Sequence, residues 1–366
     1  MRIIYSFNKV GFEAQFWKKE IAAASTPEYQ FVPFNHGEYL DPHLYIRAQL
    51  LDNLYYEQHQ GLLNLYDDFS KLVVEMDAKA VIVDNCPPYH PEFLRNVNIC
   101  KVLRTSDGPL VAYDRDFAYL HAYDLILYHS PAYSRDLGMA KKLEYCGARE
   151  SHFWPLALFD TMCDPAMHED GVFALLRDID ILFVGALFPN KMPLLAAVKK
   201  AFGRRCRLHG LAGWKKNLYF NLKHGFPGWV APIRFEDYVP LYNRTKIGIN
   251  VHNRGKYTVG AFRLFELPGN GVMQISDGGE YLQEFFKVGE EIESYETAEE
   301  LIDKVKYYLA NDEARERIAR AGYNRVMRDH RIAHRLETAA NLIHSISPRC
   351  VIDSARARFD SDNSGE

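Results

Sequence analysis

Arg263 and Glu266 stand three residues apart, the spacing that puts two side chains on one face of a helix. A guanidinium is a planar fork of donors that matches phosphate oxygens two at a time. A carboxylate can accept hydrogen bonds from two adjacent sugar hydroxyls. The plainer readings are a surface ion pair, or a Glu266 that complements the helix dipole in the first turn. Gly269, Asn270 and Gly271 then form a tight-turn sequence without a bulky side chain. Just upstream, Asn250-Val251-His252-Asn253 places amide and imidazole groups at what reads as a strand end. There they can hydrogen-bond a sugar or a phosphate, or His252 can cap a loop. Gly255 and Gly260 flank Lys256-Tyr257-Thr258, a polar loop whose N–H groups, with those opening the next helix, can bind an anion.

The first half offers fewer such groups. Asp107 in Ser106-Asp107-Gly108-Pro109 and His129 in Tyr128-His129-Ser130 each follow an apolar run that reads as a buried strand. Either can act as a general base or orient a hydroxyl. Asp107 can equally start an Asp-Gly turn, which needs no chemical explanation. His36, in Asn35-His36-Gly37-Glu38, is a further candidate for lining a site.

These groups need a scaffold, and the apolar pattern supplies one. Short strands alternate with longer helical stretches, as in parallel sheets covered by helices. Strands are expected at Arg2–Phe7, Tyr29–Phe34, Ala80–Asp84, Lys101–Thr105 and Tyr123–Tyr128, with one or two long helices in Leu44–Met76 and another at Pro131–Gly138. A boundary is expected between Trp154 and Pro165. The pattern then restarts with strands at Asp180–Gly185, Cys206–His209, Lys246–Val251 and Val272–Ser276. Helices are expected at Met192–Phe202, Phe235–Asn243, Ala298–Leu309 and Asp312–Asp329, with one opening at Phe262–Pro268; Leu211–Pro232 reads as an aromatic, Gly/Trp-rich region. Ligands of such sheets bind beyond the carboxyl ends of the strands. Residues 1–160 are read as one domain, 161–347 as a second, and 348–366 as a mobile tail.

Composition narrows the function classes. The 366 residues carry a net charge of −4, with 48% hydrophobic and 25% charged residues, which is ordinary globular usage. No Lys/Arg stripe suited to a nucleic-acid backbone is evident, and short basic runs at Gly203–Arg207 and Lys215–Lys216 read as solvated surface. Six scattered cysteines read as reduced thiols of a cytoplasmic protein. Met1 leads straight into a strand, so no secretory leader is expected, and no apolar run reaches 18 residues. Peripheral association with a membrane stays open. There is no P-loop, no Gly-rich fingerprint after the first strand, no H-E-x-x-H and no G-x-S-x-G.

The stretch GAFRLFELPGNG at Gly260–Gly271, together with the downstream sequence to Leu342, resembles the C-terminal domain of CgeB-like glycosyltransferases in the GT-B group. The resemblance implies an α/β fold of GT-B type, two Rossmann-like domains facing each other across a cleft. It implies an enzyme, most simply a hexosyltransferase, that moves a sugar from a nucleotide-sugar donor to an unidentified acceptor. Glu266 matches the family glutamate beside the donor ribose, and Asn250, His252 and Asn253 match its strand-end motif. Two departures stand out. A second glutamate found eight residues upstream in the group 1 enzymes is Thr258 here, and an arginine they carry directly after the strand-end Gly185 is Ala186. Lys191, six residues past Gly185, can supply part of that charge.

The donor side is thus expected to comprise Glu266, Arg263, Lys191, Gly185, Asn250, His252, Asn253 and Thr258. The acceptor side comprises His36, Asp107 and His129. Arg263, Asp107 and His129 are the candidates for catalysis, with a lean towards retention of configuration. No metal or other cofactor is expected, although Asp114 and Asp116 lie close enough in sequence to mimic a metal site. A GT-B-like binding protein without turnover and an epimerase on the same fold are the alternatives.

Overall fold

The computed structural model describes residues 1–346 apart from 10, 85–86, 106–114, 130–138, 165–166, 211–212, 253–260 and 279–281. Asp107, Asn253, Thr258, the Pro131–Gly138 helix and the tail from 348 lie outside the described residues.

The chain divides into two units, Met1–Pro155 with Ile332–Glu366, and Leu156–Arg331. In the first, β1 (Arg2–Phe7), β2 (Gln30–Asn35), β3 (Ala80–Asp84), β4 (Cys100–Thr105), β5 (Leu125–Tyr128) and β6 (Ser151–Phe153) form a 6-stranded sheet in the order β2-β1-β3-β4-β5-β6. Every pairing is parallel. The β3 run AVIVD is buried at every position, as expected for a strand covered on both faces. Two helices, Ala48–Tyr56 and Gln60–Glu75, occupy the long stretch read from sequence. They part where Gln58 takes a φ of 56°, a conformation no helix continues through.

At the carboxyl ends of β3 and β4, Arg104 Nη1 donates to Asp84 Oδ1 at 2.5 Å, with both side chains buried. The guanidinium also lies 4.9 Å from the centre of the Trp154 ring. Trp154 Nε1 in turn donates to the Arg335 carbonyl at 2.8 Å. That bond helps to fasten the helix at 332–346, whose buried Leu336, Ala339, Ala340 and Ile343 recur at helical spacing. The chain therefore returns to its first unit after Arg331, a crossing that the division at 160 and 347 does not contain.

In the second unit, β7 (Ile179–Val184), β8 (Cys206–His209), β9 (Thr245–Asn250), β10 (Met273–Ser276) and β11 (Glu293–Ser294) form a 5-stranded parallel sheet in the order β11-β10-β9-β7-β8. The helix Arg263–Gly269 lies directly on β9. A Cβ at Gly248 would sit 2.7 Å from the Leu267 side chain, so only glycine allows that approach. The helix ends in the expected turn, with Gly271 at a φ of +68°. Arg177 staples this turn to the start of β9, donating to the carbonyls of Asn270 at 2.8 Å and Thr245 at 2.7 Å.

Candidate functional site

Of the groups singled out in the second half, Gly185, Lys191, Asn250, His252, Arg263 and Glu266 come together at the carboxyl edge of the second sheet. Gly185 ends β7, and a Cβ there would lie 2.9 Å from the Arg263 Cζ, so the guanidinium rests against bare backbone. Gly210 has its own reason to be glycine, since its Cβ would meet the Gly185 carbonyl at 2.3 Å.

Arg263 opens its helix, and its Nε is buried without a hydrogen-bond partner. Lys191, in the turn after β7, is 1% exposed, and its Nζ is also without a partner. The Lys191 ammonium lies 5.7 Å from the Phe183 ring centre and 5.9 Å from that of Phe188. Burial and the neighbouring Arg263 charge bring it down to about 7, against a smaller opposing pull from Asp277. An ammonium in apolar surroundings beside a second cation is costly unless more negative charge joins it.

Glu266 lies one turn after Arg263 on the same helix and is buried. The Tyr242 hydroxyl donates to its Oε2 at 2.9 Å. Burial raises the carboxyl above its ordinary range, while the Arg263 charge and the Tyr242 bond pull it back. Asn250, the last residue of β9, donates from Nδ2 to Ser276 Oγ at 3.1 Å, leaving its buried Oδ1 unpartnered. His252 is fixed by Asp277, whose carboxylate accepts from the His252 backbone N–H at 3.0 Å and from Nδ1 at 2.6 Å. Gln274 Oε1 is a further buried acceptor without a partner beside this corner, its Nε2 donating to the Arg263 carbonyl at 3.3 Å. Buried polar atoms are seldom left unpaired, so four in one corner mark a surface shaped for a polar guest.

Tyr242 and Asp277 complete this arrangement and were not reached from sequence. Asp277 had a signal, because Ser276-Asp277-Gly278 directly follows a buried parallel strand. Tyr242 had none, standing far upstream of the carboxylate it orients.

In the first unit the candidate residues are placed separately. His129 follows β5, and its Nδ1 lies 3.1 Å from the Thr105 carbonyl. A carbonyl only accepts, so Nδ1 carries a proton and donates to it. His36 is fully buried. Its Nδ1 is 2.8 Å from Ser6 Oγ, which is 2.7 Å from Tyr89 Oη. His36 thus braces the carboxyl ends of β1 and β2 from inside. Asp116 is held by Arg115, whose Nε donates to it at 2.7 Å. Among the described residues, no group of three His, Cys, Asp or Glu side chains gathers as a metal site. Cys146 and Cys206 are free thiols.

Comparison with known proteins agrees with this architecture. Residues 191–341 match the family model described as Glycosyl transferase-like, a segment that begins at Lys191 and contains Arg263 and Glu266. No curated protein matches the sequence. Among solved structures, the chain is similar to the sucrose-phosphate synthase of Thermosynechococcus elongatus, at a TM-score of 0.60 and 12% identity, covering 95% of this chain and 100% of that one. A glycosyltransferase from Rickettsia africae gives 0.59 at 13% identity, over 94% and 98% of the two chains. HepE from Anabaena, solved in complex with UDP, gives 0.57 at 12% identity, over 94% and 100%. With two parallel Rossmann-like sheets of this kind, the chain has the GT-B fold, and it matches the glycosyl transferase-like model over residues 191–341.

Proposed function

We infer that the protein is a glycosyltransferase that takes its sugar from a nucleoside-diphosphate donor held at the carboxyl edge of the second sheet. The observation that carries this reading is the pair Lys191 and Arg263, two cationic groups with buried nitrogens that lack partners. A diphosphate supplies the missing negative charge. Glu266, braced by Tyr242, takes the ribose hydroxyls, and the bare backbone at Gly185 lets the Arg263 guanidinium lie at the strand end to meet the phosphates. Asn250 and His252 bind the sugar, and Asn253 and Thr258 are assigned to the same donor. The fold shared with the UDP complex of HepE and with a sucrose-phosphate synthase supports a sugar-nucleotide substrate.

Departure of a nucleoside diphosphate builds negative charge on its phosphates, and preorganised cations stabilise that charge with little reorganisation. In a retaining reaction, towards which we lean, the acceptor attacks the face from which the diphosphate leaves. In an inverting one, Asp107 or His129 takes the acceptor proton. The group transferred is most simply a hexose, the setting cytoplasmic, and the diphosphate is neutralised by side chains without a metal. Thr258, in place of a second glutamate, favours one other reading, a nucleotide-sugar-binding protein without turnover. Incubation with a panel of nucleotide-sugars, followed by mass spectrometry of the products, tests the proposal. Diphosphate released by the parent and not by Arg263→Ala is expected. A parent that binds a donor yet never releases diphosphate, with or without sugar acceptors, would leave only the binding role.

A further inference from the structure

The helix Trp214–His224 runs against the usual pattern of a surface helix. Its inward face is narrow, built on the buried Phe220 and on Asn217. Asn217 accepts from the Val230 N–H at 2.8 Å and donates to the Val230 carbonyl at 3.3 Å. The apolar side chains lie instead on the outer face. Trp214, Leu218 and Leu222 follow one another a turn apart and are 64%, 48% and 79% exposed. Asn221 Nδ2 donates to the Gly228 carbonyl at 3.2 Å, and with Asn217 this holds Trp229 beside the helix. The other two tryptophans of the chain, Trp17 and Trp154, are buried. Both exposed indoles therefore belong to this one surface.

Charge sets this surface apart a second time. Between residues 181 and 235 there is no aspartate or glutamate, but there are ten lysines and arginines, in a chain whose net charge is −4. Three of those lysines, at 215, 216 and 223, stand on this helix and are exposed. Lys200, from the preceding helix, reaches its end: a Cβ at Gly225 would lie 3.6 Å from Lys200 Nζ.

We propose that this face docks the protein on an anionic lipid surface, with Trp214, Leu218, Leu222 and Trp229 entering the headgroup region and the lysines binding acidic headgroups. Indole rings favour that depth, apolar in body and polar at N–H, and lysine stems let the ammonium stay in the wet layer. A second copy of the chain is disfavoured, because lysine would face lysine with no carboxylate in the segment to pair with it. A protein interface of ordinary size needs ~800 Å² per partner and has a core poor in lysine, whereas this is a narrow strip edged with lysines. The proposal does not depend on the donor site.

Co-sedimentation of the full chain with vesicles of phosphatidylcholine alone, and with a third of phosphatidylglycerol, tests it. Binding to the anionic vesicles, with a blue shift of tryptophan emission, is expected, and little binding to the neutral ones. Each lysine changed to glutamine should lower partitioning about fivefold. The triple change Trp214→Ser, Leu218→Ser, Leu222→Ser should abolish the blue shift while leaving the melting curve and nucleoside-diphosphate binding as in the parent. Absence of binding to anionic vesicles, equal binding to neutral ones, or full binding by the folded triple variant would overturn the proposal. So would tight binding of heparin or RNA without any binding to vesicles.

Discussion

Lys191 makes the donor site testable by pH alone. Its ammonium falls from the ordinary 10.5 to about 7 because it is buried beside Arg263, with only a smaller opposing pull from Asp277. A diphosphate placed against it removes that penalty and lifts its pKa. If binding restores the ordinary value, the complex takes up about 0.9 proton at pH 8, and Kd weakens about 50-fold from pH 7 to pH 9. Arg263 stays charged throughout, and a terminal phosphate loses its last proton at ~6, so neither produces that slope. Calorimetric titration at pH 8, in two buffers of different ionisation enthalpy, reads the proton uptake directly. Lys191→Met should bind more weakly at pH 7 and show no uptake. Stability follows the same linkage. The folded chain releases this proton before the unfolded chain does, so the Lys191 contribution rises between about pH 7 and 10.5, by up to ~1.4 kcal/mol per pH unit. Below pH 7 the buried charge weighs fully on the fold, and Lys191→Met should melt higher there. A pH-independent Kd between 7 and 9, with no proton uptake, would refute the reasoning.

Three further outcomes are expected from the geometry. Glu266→Ala should weaken nucleoside-diphosphate binding at least tenfold, since a hydrogen bond to a charged group contributes ~1.5–3 kcal/mol; calorimetry on the folded variant reads it. Gly185→Ala sets a methyl 2.9 Å from the Arg263 guanidinium and should cut diphosphate affinity while leaving nucleoside binding intact, as competition titrations would show. Arg104→Met leaves the buried Asp84 carboxylate without its partner and should lower the urea-unfolding free energy by ~3–5 kcal/mol.

The parallel strands were legible because strands buried on both faces read as unbroken apolar runs. Ala80–Asp84 is found at its expected bounds, and the run expected at Asp180–Gly185 forms Ile179–Val184. The polar corner around Arg263 was legible in part for the same reason, since Gly185, Asn250 and His252 stand at or just past strand ends. Tyr242 and the return of residues 332–346 to the first unit depend on contacts between distant segments, and no local pattern signals them. The helix Trp214–His224 was hidden differently. Its large apolar residues face out as well as in, so the stretch shows no single buried stripe and reads only as an aromatic, Gly/Trp-rich region.

The central claim is that unit 2 holds a donor diphosphate between Lys191 and Arg263. Its most direct test is calorimetric titration of the parent, Arg263→Ala and Arg263→Lys with a panel of nucleoside diphosphates and the matching nucleosides. The account predicts a diphosphate that binds the parent, weakens at least tenfold on Arg263→Ala, and is only partly rescued by Arg263→Lys, because lysine keeps the charge and loses the planar fork. The nucleoside, lacking phosphates, should bind all three alike. A folded Arg263→Ala protein that binds the diphosphate as tightly as the parent would contradict it.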